Sequence, residues 1–546
     1  MATVVTFNDR NIIEPGVYSQ IKANVNVAPT PQSFGNVMII DTGDGAGFGG
    51  GSGITGELAN GLNSVYGFDT LNDFRQFVRG GLLWDLAEYL FIPVNGAAGA
   101  PKVFLVKAAT TIAASGTYTL TNGTFKFKCK NEGAAGNGVQ VNTTTDTAVR
   151  QGYGSLMKKG IINPAKYIFE FYEGTFKGND SDGDAYDGAA LGTCVPKLIA
   201  RSAEVATVAE LILWAKADSN FNARFALDSS SVSTGTGAIV AGDYIAPNNA
   251  IKLCTGGTTT YASGDLDTTL SKIGEVDYTL LLSLKNAGNA QGSENTKSLY
   301  HITQEAEFKK FMILGGGNDE TAFSAGTTGS SIDTAAYFNS QYAVVCHSGF
   351  KITVPWSSQP KLKSSVYHAA MVCGRLGGLL PQTSITFKGL RARTWRHQLT
   401  KAERETALQA GVLHNRFVPQ LGYVVNQGIN SLQRNTMMVN PDGSSAEISI
   451  MRIAEQLNKE LVLNMRPIFV GQNLNTASPA DVKAFVEGYL SNKTATKLQD
   501  NLIISFEKVV VTQTQDYYQV TYNFVPNSPL NKIFVTGFII DANLSA

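Results

Sequence analysis

Residues 68–91 read FDTLNDFRQFVRGGLLWDLAEYLF, and residues 102–107 read KVFLVK. Thr70 can cap a helix over 71–79, with Phe74, Phe77 and Val78 on one side. A second helix over 82–91 brings Leu82, Leu83, Leu86, Tyr89 and Leu90 to one face. KVFLVK then reads as a strand. Working back, NVMII at 36–40 is a buried-strand candidate, and 42–61 is a glycine-rich loop. Residues 36–107 therefore predict strand, loop, two helices and strand, a βαβ-like unit.

The same alternation returns downstream. Residues 203–217 are helical with Val205, Val208, Leu211, Ile212 and Ala215 inward. YTLLLSL (278–284), FMIL (311–314) and YAVVCH (342–347) are strands, separated by helices over 295–310 and 332–340. Strands separated by helices imply parallel pairing. Residues 111–190 differ, being rich in Thr, Gly, Asn and Ser, with short alternating pieces that predict a β-rich insertion. The helix over 365–380 is built from small residues, among them Ala369, Ala370, Cys373, Gly374, Gly377 and Gly378, which permit close backbone approach. Thr400 and Glu403 form a capping box for 401–414, residues 449–465 carry one apolar stripe, and Ser478-Pro479 opens another helix.

The end is strongly β. Residues 502–506, 508–514 and 517–525 are strand-like; in the last, Tyr518, Val520, Tyr522 and Phe524 share one face. KIFVTGFII at 532–540 is apolar on both faces, a liability unless something pairs with it. The fold class that follows is a multidomain mixture of α/β and α+β.

Composition narrows the function. The 546 residues suggest roughly three or four domains. Lys+Arg and Asp+Glu are both 44, so the chain lacks the basic excess of a nucleic-acid coat or an anionic-membrane binder. Charged residues are 16%, against about 25% in ordinary soluble domains. A neutral, sparsely charged surface resists self-association poorly, which fits a chain that lives in an assembly or has a Ser/Thr/Asn-rich surface. Five separated cysteines read as free thiols from a reducing compartment, and no apolar run approaches the ~18 residues of a membrane span. The N-terminus has no signal-peptide pattern.

Catalytic and ligand motifs are weak. Gly45-x-Gly47-x-x-Gly50 follows a strand, but Gly51 to Gly56 cannot open the helix a dinucleotide site needs. Asp180, Asp182, Asp184 and Asp187 resemble a calcium loop, but Ala185 and Leu191 stand where it needs Gly and Glu. Five histidines are scattered, and adjacent Cys346 and His347 point to opposite strand faces. No catalytic residue, metal site or cofactor is expected. Lys388, Arg391, Arg393, Arg396 and Lys401 form the densest basic cluster, read as a patch for an acidic protein face.

In order, these pieces resemble a contractile bacteriophage tail sheath protein. Ile13-Glu14-Pro15-Gly16-Val17-Tyr18 is similar to the family's PGVY-type opening, and residues 68–107 to its early helix–helix–strand segment. Gly136 to Val141 resembles the turn and strand that begin an inserted domain, and Val354-Pro355-Trp356 a Pro-Trp element before the core. AAMVCGRLGGLLPQTSITFKGL, LTKAERETALQAGVL, GYVVNQGINSL, EISIMRIAEQLNKEL and ASPADVKAFVEGYLSN resemble the later core. The resemblance covers both ends and most of 340–540; the family's "GRT" is not clear, with Arg434-Asn435-Thr436 near its place.

The resemblance implies a sheath core with terminal β-strand arms and inserted β-rich and α/β domains. The expected divisions are an arm at 1–22, core at 23–110, β-rich insertion at 111–190, α/β insertion at 191–345, core at 346–500, and a C-terminal hairpin and arm at 501–546. It implies hexameric rings stacked on a tail tube, contraction through the host envelope, and contacts with baseplate and terminator proteins. It further implies residence in the virion after assembly in the host cytoplasm, with no nucleic-acid partner and no direct membrane insertion. Strand exchange is expected from Thr3, Val4, Val5, Thr6 and Phe7, and from Lys532, Ile533, Phe534, Val535, Thr536, Gly537, Phe538, Ile539 and Ile540. The acceptor is a hairpin bearing Val509, Val511, Tyr518, Val520, Tyr522 and Phe524, and the basic cluster is a tube or neighbour contact. Two alternatives stand beside this reading: the sheath of a bacterial contractile injection system, and a cytoplasmic α/β enzyme using 191–345.

Overall fold

Short strands that are apolar on both faces need cover on both sides, and that requirement organises the centre of the molecule. A computed structural model describes residues 5–7, 10–12, 34–41, 65–78, 81–94, 96–108, 110–132, 153–173, 197–245, 252–260, 263–284, 292–317, 323–324, 329–352, 361–392, 394–432, 446–471, 478–494, 501–514, 517–527 and 529. Seven strands form one sheet in the order Val412–Leu413, Ala343–Cys346, Phe311–Gly315, Leu280–Leu282, Val37–Asp41, Val103–Lys107 and Val65–Phe68. The first six run parallel, as the strand–helix alternation predicts; Val65–Phe68, which the sequence reading missed, is an antiparallel edge.

Alternation along each strand divides its residues between two cores. Val37, Ile39, Leu280, Leu282, Ile313 and Val344 face helices Leu71–Phe77, Gly81–Phe91 and Ser365–Gly377. Met38, Leu281, Met312, Leu314 and Val345 face helices Ser263–Ile273, Ser331–Phe338 and Lys401–Gln409. The capping box of Thr400 and Glu403 is present. The small-residue helix does what its composition predicts. A Cβ on Gly374 would stand 2.4 Å from the Leu90 carbonyl oxygen, and one on Gly377 2.7 Å from that of Gly35. These glycines let residues far apart in sequence pack backbone to backbone.

The inserted region builds two sheets of its own. One sheet contains Thr110–Leu120, Gly123–Glu132, Phe225–Leu227, Val232–Ser233 and Thr258–Thr260. A second contains Lys197–Arg201, Tyr167–Glu173, Tyr153–Lys159 and Lys252–Leu253. Tyr118, Phe125, Phe127, Phe169, Phe171 and Phe225 bury one another in a shared core with helix Val208–Ala217. Among the described residues, strands from 110–132, 153–173, 197–233 and 252–260 thus share one core or its two sheets, while Leu280–Leu282, Phe311–Gly315 and Ala343–Cys346 belong to the central sheet. The physical reason is that neither half of the β-rich stretch covers its own aromatic face.

A further core joins helices Ile448–Phe469 and Pro479–Asn492 to a hairpin of strands Ile503–Thr514 and Tyr517–Pro526. Tyr489 donates to Glu460, which Lys493 also meets at 2.8 Å, so the two helices share a buried polar link. Among the described residues the hairpin packs directly on these two helices. No described helix is long and apolar enough to cross a membrane. Cys129, Cys254, Cys346 and Cys373 are buried; Cys194 lies outside the described residues.

Candidate assembly interface

The hairpin starts from an apolar pattern with broken phase. Ile503, Phe506, Val509 and Val511 cannot all face one way in a regular strand, whose period is two. Two irregularities resolve this, one between Ile503 and Ser505 and one between Glu507 and Val510. Each puts an extra residue into the first strand, so the apolar side chains before and after it face the helices. Lys508, inside the second bulge, takes φ +54. The expected break between 506 and 508 is therefore a bulge within one 12-residue strand. The partner strand alternates without interruption.

The proposed acceptor residues form the underside of this hairpin. Val509 and Tyr518 are buried, and Val511, Val520, Tyr522 and Phe524 pack against the same helical core. Tyr522 donates to Asn458 at 2.8 Å, and burial with Glu455 nearby pushes its phenol pKa up. These side chains hold the hairpin to its own subunit. What it offers outward is backbone along two long edges and an outer face where Ile504 is 55% and Val510 51% exposed. Among the described residues no third strand joins the sheet.

The other expected site residues distribute as follows. Val5, Thr6 and Phe7 form a strand that pairs with Arg10–Ile12, Val5 opposite Ile12. Thr3 and Val4 lie outside the described residues, as do Lys532, Ile533, Phe534, Val535, Thr536, Gly537, Phe538, Ile539 and Ile540. So do the 45–50 glycine motif, the 180–187 aspartates, residues 13–18, and Val354 to Trp356. Within the basic cluster Arg393 is also outside the described residues. Arg391 meets Glu88 at 2.6 Å, and Glu88 also meets Arg75 at 2.9 Å. Lys401 begins an exposed helix turn, while Arg396 is half-buried and donates its amide to Gly349. The cluster is partly neutralised rather than one free patch. Beside it, strands Asn415–Val418 and Gly422–Val425 and the turn between them expose Phe417 (60%) and Leu421 (63%), which the sequence reading missed. Two apolar residues near a turn carry no distinctive sequence signal.

Four of the five histidines, scattered in sequence, converge beyond strand Ala343–Cys346. His347 shares a 2.6 Å hydrogen bond with Ser331 and a 3.1 Å contact with His397. His368 Nδ1 lies 2.9 Å from the His347 carbonyl oxygen and Asn415 lies 2.8 Å from His368 Nε2, while Asn426 lies 3.0 Å from His414. Burial pushes His368 down to about 3 and His414 to about 4, and pushes His347 well below the usual range. Ser331 and His347 have a nucleophile–base geometry but are 0% and 2% exposed, and the neighbour of His347 is a histidine, not a carboxylate. The arrangement is a neutral polar network that fixes strand and helix ends. Among the described residues no cluster of His, Cys, Asp or Glu suits a metal ion.

No protein-family model matches the chain. In sequence it is 24% identical to the tail sheath protein of Bacillus phage SP01 in an alignment of 616 positions, covering 98% of this chain and 97% of that protein. In fold it is similar to the sheath tail protein from Desulfitobacterium hafniense, with a TM-score of 0.51 and 12% identity, covering 93% of this chain and all of the other. The sheath tail protein from Listeria innocua aligns with a TM-score of 0.44 at 14% identity over 93% of this chain and 96% of that one. The resemblance to phage tail sheath proteins thus extends along essentially the whole chain, and its mixed α/β fold is that of a sheath protein.

Proposed function

We propose that this chain is the structural subunit of a contractile phage tail sheath. It polymerises with copies of itself as stacked hexameric rings around a tail tube and contracts to drive the tube through the host envelope. Its role is mechanical rather than enzymatic. Its partners are itself, the tube protein, and the baseplate and terminator proteins. It is assembled in the host cytoplasm and resides in the virion. The full-length similarity to a phage sheath protein carries this reading.

The hairpin supplies a mechanism. An edge strand presents unpaired N–H and C=O groups, which an extended segment of another chain satisfies by β-augmentation. The donors are Thr3 to Phe7 and Lys532 to Ile540; the acceptor edges are Ile503–Thr514 and Tyr517–Pro526. Contraction follows when linked subunits slide from a strained lattice to one burying more surface, with the strand links intact. Lys388, Arg396 and Lys401 supply positive charge toward the tube or a neighbour.

The test is deletion of residues 531–546, read by negative-stain microscopy and thermal melting. The shortened chain is expected to melt like the full chain and to form no long tubes. Full-length tubes from the shortened chain would sink the strand-exchange mechanism.

A further inference from the structure

A cleft of about 360 Å³ lies between the central sheet and helix Ile448–Phe469. Tyr278 and Thr279 line it just before strand Leu280–Leu282, and Lys310 lines it just before Phe311–Gly315. It therefore opens at the N-terminal ends of parallel strands, away from the C-terminal crevice where open α/β sheets usually bind ligands. Its walls are joined by ion pairs of Lys459 with Asp277 and of Arg466 with Glu307.

Several of its buried polar groups are donors. Arg452 is 4% exposed; its Nη2 donates to the carbonyl oxygens of Phe34 (3.2 Å) and Leu379 (2.9 Å), and its Nη1 has no partner among the described residues. Thr279 Oγ1 donates to the same Phe34 oxygen at 2.9 Å, which places the guanidinium beside the residue following Tyr278. Tyr278 is 1% exposed and its hydroxyl is likewise unpartnered among the described residues. Lys310 is 4% exposed, with its ammonium 3.9 Å from the Tyr278 ring centroid and 3.3 Å from the Gly274 carbonyl oxygen. Burial and the nearby Lys459 charge pull Lys310 down to about 8, against the opposing pull of Asp277. Of the four acids that line the cleft, Asp277 pairs with Lys459, Glu307 pairs with Arg466 and Glu455 accepts from the Tyr342 hydroxyl; Glu275 is the fourth.

We propose that this cleft is an oxyanion site, taking a carboxylate or phosphate group on Arg452, Tyr278 and Lys310. An arginine has five N–H donors in a planar fork suited to oxyanions, and a buried donor left unmatched is costly. One oxyanion supplies several acceptor lone pairs and a compensating charge. The group has two sources, a free anion or an acidic side chain of a second copy of this chain.

The experiment uses the full chain near neutral pH and low ionic strength. Thermal unfolding is followed against inorganic phosphate and succinate, with sodium chloride at matched ionic strength. A saturable rise in Tm is expected for one or both anions and not for chloride. Tyr278→Phe removes one partnerless hydroxyl, so its anion-free Tm equals or exceeds that of wild type while it needs several-fold more anion for half-saturation. A rise that chloride reproduces, or a Tyr278→Phe curve identical to wild type, overturns the site. This arm does not depend on the sheath reading. Sedimentation of polymers then separates the sources: phosphate that dissolves wild-type polymers more readily than Tyr278→Phe polymers points to a carboxylate of a second copy. Binding with polymers intact points to a free anion.

Discussion

In the seven-stranded sheet, Ile313 and Val344 are fully buried and helices cover both faces; in the C-terminal hairpin, Val510 and Ile504 share one longer strand and are half exposed. Both regions use β-branched residues at strand spacing. The difference lies in what surrounds them. Each interior central strand has neighbours on both sides, and Ser365–Gly377 crosses the sheet from the same chain. The hairpin has helices beneath it and, among the described residues, only the short Thr494–Ile503 bridge beside its first strand. The contrast separates a part of the molecule that a single chain completes from a part whose geometry suits completion by another.

The sharpest way to break this contrast is to place the same charge in each region. Ile313→Asp puts a carboxylate among fully buried apolar residues, and a loss of about 4 kcal/mol or more is expected, enough to abolish a folded monomer. Val510→Asp, at 51% exposure, is expected to change monomer stability by no more than about 0.5 kcal/mol while weakening polymers. Urea unfolding and sedimentation of both variants decide this. Equal monomer losses would mean that the hairpin's outer face is covered within its own chain.

Acid sharpens the contrast without a mutation. His347, His368 and His414 support the central sheet, whereas residues 446–527 contain no histidine. Their folded-state pKa values lie below the ordinary 6.5, so the unfolded chain takes up protons first as pH falls. Their contribution is intact above about pH 6.5 and is lost progressively on the way down toward 4 and 3. At 1.36 kcal/mol per pH unit, His368 and His414 are each expected to remove about 2 kcal/mol by pH 5. Hydrogen exchange at pH 7 and pH 5 should show central-sheet amides losing protection before those of helix Pro479–Asn492. The reverse order would contradict the assignment.

Sequence alone showed the elements whose burial follows a local period. The helix after Thr70, the capping box at Thr400, the Pro-led helix after Ser478 and the small-residue helix all rest on contacts within a few residues or on one face. Parallel order was legible because helices separate the strands. The meeting of Phe127 and Phe225 across almost a hundred residues was not legible, because such a contact has no local signature. The histidine network stayed hidden for the same reason. In the candidate site, the Tyr518 to Phe524 alternation was plain, but the spacing of Phe506 and Val509 looked like two pieces because a bulge repairs its phase.

Gly374→Ala probes the completed region more gently. Its new Cβ meets the Leu90 and Tyr89 carbonyl oxygens at 2.4 and 2.6 Å, and backbone cannot swing aside as a side-chain tip does. Moving helix Ser365–Gly377 off Gly81–Phe91 is expected to cost about 2–3 kcal/mol, beyond the ~1 kcal/mol helix-propensity gain of alanine. A Tm equal to or above wild type would show that the two helices are not held at this distance.

The smallest effect belongs to the hairpin's bulge. Lys508 holds φ +54, a left-handed conformation that strains a residue with a Cβ and suits glycine. Its side chain is largely exposed and near Glu507, an exposed pair that contributes little. Lys508→Gly should therefore stabilise the monomer by up to about 1 kcal/mol, less the greater freedom of glycine in the unfolded chain. If the bulge only corrects the phase of the buried stripe, this gain should leave polymer formation unchanged. Stabilisation of the monomer together with loss of polymers would give the lysine conformation a role in presenting the edge to a neighbour, and would move the boundary between the two kinds of region into the strand itself.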